Sequence, residues 1–214
     1  MNYYIWYTPL VKINIGTHFQ LLILIKMKKA LLTYIFLLSY IISIGQDFTL
    51  IEDYTIYESD YELDSLFWTI PPEERQPIKA FLTPTSDTTN HIQEFTILEL
   101  ETYDGNRIYS LKDPKLSNVK EIIQVQFEYF ACCVSVENHY FIVTYDNEWI
   151  KLPVVNYVAC DGPEPFEEYR FPNQKFGIEN TILKTNSFPD SNYNIDSVKV
   201  IENYTWNGKE IIKN

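Results

Sequence analysis

Basic residues are scarce in this chain: 17 Lys and Arg stand against 29 Asp and Glu over 214 residues, a formal charge of −12. A nucleic-acid backbone or an anionic membrane surface is gripped through a basic footprint, so neither is expected as a partner. Three cysteines are too few for a disulfide-dense miniprotein. Six glycines, four of them after Gly45, leave few backbone positions that could approach a phosphate closely. The chain contains no G-x-S-x-G, H-E-x-x-H, P-loop or G-x-G-x-x-G motif, the signatures of common hydrolase, zinc-protease and nucleotide sites. Neither cofactor nor metal is expected, and no catalytic residue is assigned. With 46% apolar and 21% charged residues, the composition is that of a folded globular chain rather than a disordered or collagenous one.

Acidic residues are missing altogether from positions 1–45, which carry Lys12, Lys26, Lys28 and Lys29; all 29 lie from Asp47 onward, so the remainder has charge 13 − 29 = −16. Met27-Lys28-Lys29 opens a short cationic region, followed by an apolar stretch and by small residues at Ser43 and Gly45. This is the pattern of a secretory signal with cleavage near Gly45-Gln46. The apolar stretch is shorter than the roughly 20 residues of a membrane-spanning helix, and no Cys stands at the cleavage point for a lipid anchor. Residues 27–45 are therefore expected to be a signal peptide and residues 1–26 an over-extended gene start. The mature protein is placed outside the cytoplasm, secreted or periplasmic in a bacterium, with no membrane attachment.

The 169 residues from Gln46 fit one domain. Their apolar pattern has period two, and the fold class expected is mainly β: an antiparallel meander, sandwich or barrel with at most one short helix. Phe48, Leu50, Tyr54 and Ile56 predict one half-buried strand, and Phe95–Leu100 another. Asp104-Gly105, before Ile108 and Leu111, predicts a hairpin turn. Ile123, Val125, Phe127 and Tyr129 alternate with Gln124, Gln126 and Glu128. Tyr140–Tyr145 turns at Asp146-Asn147 into Trp149–Leu152, and Val198–Trp206 turns at Asn207-Gly208. Tyr61–Trp68 predicts the one helix, ended by Pro71-Pro72; Thr83–Asn90 and Phe188–Asn194 predict exposed loops.

Tyr204-Thr205-Trp206-Asn207-Gly208-Lys209 resembles the aromatic-x-Trp-Asn/Asp-Gly-Lys ending of secreted bacterial β-repeat and β-propeller-like proteins of unassigned function. The resemblance covers about residues 198–212. It implies an extracytoplasmic β protein and no particular activity.

Cys132, Cys133 and Cys160 are the most specific feature. In an oxidising compartment a disulfide is expected, and Cys160 can reach only one of two neighbours that point to opposite faces of a strand. Cys133–Cys160 and Cys132–Cys160 are both open, the first slightly favoured, with the remaining cysteine a free thiol. The inward parity changes near this pair, from odd positions up to Tyr129 to Val134 and Val136, which predicts an inserted bulge residue. Their spacing lacks the paired C-x₂-C of a zinc site. His139 is the one histidine near enough in sequence to act as base for a cysteine nucleophile, yet Glu137-Asn138-His139 reads as a solvated turn. Asp161, Glu164, Glu167 and Glu168 crowd a Pro-containing segment after Cys160, a candidate binding loop that could face a protein or hold a hard cation through oxygen ligands, or a plain solvated loop.

The functional expectation is a binding or interaction module whose ligand is a protein or a carbohydrate. Two alternatives stand beside it: a secreted hydrolase using carboxylates or a Cys-His pair, and an inhibitor or immunity-type protein covering its partner with the acidic loop. Export is checked by N-terminal sequencing of the extracytoplasmic fraction, which should begin at Gln46 or Asp47; intact Met1 in a membrane fraction is the opposing result.

Overall fold

The computed structural model describes residues 47–58, 71, 77–97 and 99–214. The expected signal peptide, the expected over-extended start and the expected Tyr61–Trp68 helix lie outside the described residues. Within them every regular element is a strand and every pairing is antiparallel.

Among the described residues thirteen strands form three sheets. The largest contains β1 (Thr49–Leu50), β5 (Tyr103–Lys112), β6 (Val119–Phe130), β7 (Val134–Thr144) and β8 (Trp149–Lys151) in that order, and β9 (Val155–Ala159) lies on the same side of β7 as β8. A three-stranded sheet holds β2 (Tyr54–Glu58), β3 (Ile78–Pro84) and β4 (Gln93–Ile97). A four-stranded sheet holds β10 (Phe166–Arg170), β11 (Thr181–Pro189), β12 (Ile195–Trp206) and β13 (Ile211–Lys213).

The large sheet is the middle layer. In an ordinary half-solvated strand one residue in two is buried, but β6 and β7 bury adjacent positions: Ile122 and Ile123 are both fully inaccessible, as are Phe141 and Ile142. Successive side chains point to opposite faces, so each face has its own core. Ile122, Tyr140 and Ile142 belong to a cluster with Tyr169, Ile182 and Trp206 of the four-stranded sheet. Ile123, Val125 and Phe141 belong to a second cluster with Ile78, Leu82 and Phe95 of the three-stranded sheet. Aromatic side chains join the layers on both faces: Tyr140 meets Tyr169 edge-on at 5.3 Å, and Phe95 meets Phe127 at 5.1 Å.

Several local expectations change. The Phe48–Ile56 run is two strands in different sheets, joined through Ile51–Asp53, and Leu50 is exposed; a period-two pattern does not register a strand that ends and restarts after three residues. Asp104-Gly105 makes no hairpin. It lies inside β5, where the register against β6 shifts between Tyr103 and Gly105; the dipeptide absorbs a bulge, the other use of a glycine in a strand. No bulge is present beside the cysteines: Phe130 pairs with Val134 across the turn Ala131–Cys133, and the β6–β7 register runs unbroken to Glu121 opposite Val143. The parity change reflects burial on both faces. Thr83 is a buried β3 residue, with the exposed turn starting at Thr85, and Phe188 and Pro189 end β11. Asp146-Asn147 and Asn207-Gly208 do turn the chain, Asn147 with φ 62° and Gly208 with φ 94°. The latter hairpin buries Trp206, whose indole Nε1 donates to the Ser117 carbonyl at 2.7 Å.

One carboxylate is enclosed by this frame. Glu121 on β6 is 2% exposed. It accepts hydrogen bonds from Ser110 at 2.8 Å and from Lys112, and Lys120 lies 3.3 Å away. Burial by itself would raise its pKa, but the Lys112 and Ser110 hydrogen bonds and the two lysine charges outweigh that and hold it below the usual value. A folded-state pKa below the unfolded one gives stability that is present above the unfolded pKa and is lost as pH falls through the folded pKa. Glu121→Gln should therefore cost about 1–3 kcal/mol near neutrality. It should also flatten the loss of stability below about pH 4, measured by denaturant melts across a pH series.

Candidate functional site

The three sulfurs gather at one end of the middle sheet. Cys133 in the β6–β7 turn is bonded to Cys160, just past β9, across a separation of 27 residues. The pairing Val134↔Ala159 places the two chains side by side there, which is why Cys160 reaches the turn. Cys132 is free and exposed, its Sγ 3.9 Å from that of Cys133. A loop of this size corresponds to roughly 3 kcal/mol in the chain-entropy description.

His139 is not in a turn. It sits within β7 opposite Val125, is 6% exposed, and lies edge-on to Phe95 at 4.9 Å and Phe127 at 5.6 Å. Cys132 lies at the hairpin tip, beyond the pairs from Val134 to Asn138, so the strand separates thiol and imidazole. The Cys-His arrangement required by a thiol hydrolase is not formed. His139 Nε2 instead meets Glu137 Oε1 at 2.6 Å, while its Nδ1 is buried with no hydrogen-bond partner among the described residues.

That pair borders a cleft of about 250 Å³ lined by Thr96, Glu99, Tyr129, Ser135, Glu137 and Asn156. The strands explain the grouping. Tyr129 pairs with Ser135, and Glu137 with Asn156, so β6, β7 and β9 contribute to one face. Thr96 comes from β4 and Glu99 from the segment leading to β5. Ser135, Glu137 and His139 share that face because they are two apart on one strand. This alternation is the signal in the sequence that could have located the site; a polar cluster beside a cysteine pair instead suggested a turn.

The electrostatics are one-sided. The hydrogen bond from His139 keeps the Glu137 carboxyl below its ordinary pKa against the opposing effect of burial, helped by Lys151. The Tyr129 phenol is pushed up to about 12, first by burial and then by the charges of Glu137 and Glu99. At neutral pH the cleft thus presents a protonated phenol beside ionised Glu137. No Lys or Arg is ion-paired to Glu99 or Glu137 among the described residues.

The acidic segment after Cys160 is not one solvated loop. Phe166–Arg170 is strand β10, and Tyr169 and Phe171 are fully buried. Its four carboxylates do not converge. Glu164 accepts from the Cys160 backbone N–H at 3.1 Å, Glu167 pairs with Lys184 at 2.7 Å, and Glu168 pairs with the buried Arg170 at 2.5 Å and with Ser187. Asp161 remains on the exposed stretch. Alternation along β10 sends Glu167 and Glu168 to opposite faces, and Pro163 and Pro165 precede the strand rather than prevent it. Among the described residues no group of three or more His, Cys, Asp or Glu is arranged to hold a metal ion.

The sulfur assignment is checked by counting thiols. The native protein should titrate one free thiol, Cys132→Ser none, and the reduced, denatured chain three; Cys133→Ser should lower the stability by about 3 kcal/mol. No protein-family model matches this chain, and neither a curated protein nor a solved structure does.

Proposed function

We propose that this protein is an extracytoplasmic binding module, exported by its N-terminal signal, whose ligand seats in the cleft around Tyr129. The observation that carries the reading is the polar lining itself: two carboxylates, a phenol, two hydroxyls and an amide converge on one concavity. Few polar groups at fixed positions on a rigid frame are what orient a ligand. The partner is a protein segment or a carbohydrate, and the −16 charge of the mature chain favours a cationic one. The imidazole in this region is buried and committed to Glu137, which suits positioning better than proton transfer to a ligand.

A carboxylate-dependent glycoside hydrolase is the second reading, favoured by the presence of Glu99 and Glu137 in the same cleft. Screening exported protein against glycan and peptide arrays, beside the triple variant Glu99→Gln/Tyr129→Phe/Glu137→Gln, tests the first reading. Capture of a ligand class that the variant loses by about tenfold or more is the expected result, and identical profiles would remove it. Turnover of aryl glycosides by the wild-type chain and not by Glu137→Gln would select the hydrolase.

A further inference from the structure

The cleft offers a ligand two kinds of group, a phenol and a pair of carboxylates. Tyr129 is 9% exposed, yet its hydroxyl makes no hydrogen bond to a described residue, although it borders open space. A phenol whose ring is packed and whose hydroxyl faces a cleft is a fixed donor for a ligand oxygen. The carboxylates beside it form no ion pair with Lys or Arg among the described residues: Glu137 meets the His139 imidazole at 2.6 Å, and Lys151, whose Nζ lies over the Phe95 ring at 5.9 Å, acts on it more weakly. A carboxylate in a partly dehydrated recess gains most from a cation that also donates hydrogen bonds. The complement of this lining is therefore an ammonium group for the glutamates, next to an oxygen that accepts from the Tyr129 hydroxyl. Further hydroxyls would answer Ser135, Thr96 and Asn156.

We propose, on the reading above that the cleft is a binding site, that it takes a single free 2-amino sugar unit, its ammonium between Glu99 and Glu137 and a ring oxygen or neighbouring hydroxyl on Tyr129. The amino sugar carries ammonium and hydroxyls on adjacent carbons. A lysine side chain carries the ammonium alone, and an N-acetylated sugar carries the oxygens without the charge. At about 250 Å³ the cleft is smaller than sites for drug-sized ligands, which suits one ring, so that one unit of an oligomer would occupy it.

Calorimetric titration of the exported chain with a glucosamine trimer, an N-acetylglucosamine trimer and trilysine decides the matter. The glucosamine trimer should bind at least tenfold more tightly than either of the others, more weakly as salt is added. Glu137→Gln and Glu99→Gln should each reduce its affinity about tenfold, and Tyr129→Phe several-fold. The Glu99 residue is exposed, so its variant reports on binding even if a substitution on β7 impairs folding. Equal affinity for the acetylated trimer or for trilysine overturns the proposal, as does no binding of the glucosamine trimer. If the array ligands of the triple variant and the wild type still differ while glucosamine oligomers fail to bind, only this inference falls; if the arrays are identical, the cleft is not the binding site and both fall.

Discussion

Burial of both faces of β6 and β7 is the constraint from which the rest of the molecule follows. A strand covered on two sides cannot slip by one residue without exchanging its two hydrophobic sets. In β6 that exchange would move Ile122 into the layer built around Phe95 and Ile123 into the layer built around Tyr169. Register is therefore held by the packing of three sheets at once. The unbroken pairing from Phe130↔Val134 to Glu121↔Val143 is its visible result. Polar groups that this arrangement encloses must be answered locally, as Glu121 is by Ser110 and Lys112, and Arg170 by Glu168, Ser187 and the Lys175 carbonyl.

The cleft is a consequence of the same layering. The three-stranded sheet covers the odd-numbered face of β6 and β7 through Phe95 and Ile97. Toward the hairpin tip, the residues on that face are Tyr129, Ser135 and Glu137, which border a recess. The disulfide closes the same end by tying the turn to the segment after β9. His139 marks the boundary: its ring packs between Phe95 and Phe127 while Nε2 reaches the recess through Glu137. A frame fixed by hydrophobic contacts thus sets the spacing of the polar groups, and their charge follows from neighbours rather than from composition.

Much of the strand content was legible in the sequence, because side-chain alternation and turn chemistry are local. Asp146-Asn147 and Asn207-Gly208 turn where their residues accept positive φ. The same reasoning failed at Asp104-Gly105, since a glycine that accommodates a turn also accommodates a bulge. It failed for Phe166–Arg170 because an edge strand tolerates acidic residues when each meets a cation, as Glu167 meets Lys184 and Glu168 meets Arg170. The site was barely legible. Ser135, Glu137 and His139 form a polar alternation that looks like solvent exposure until a second sheet is known to lie over it. Thr96 and Glu99 come from a distant segment that no local pattern links to Tyr129.

Two kinds of information separate here. The amino-acid sequence alone determined the β class, the acidic surface charge, several turns, and the fact that one of two adjacent cysteines could pair with Cys160, since these depend on backbone preference, ionisation and covalent reach. Only the tertiary structure decided that the large sheet is a middle layer, that Cys133 takes the bond, that His139 is buried, and that Glu99, Tyr129 and Glu137 border one recess. Those outcomes depend on which faces of remote strands meet, a choice made by summed burial over the whole core.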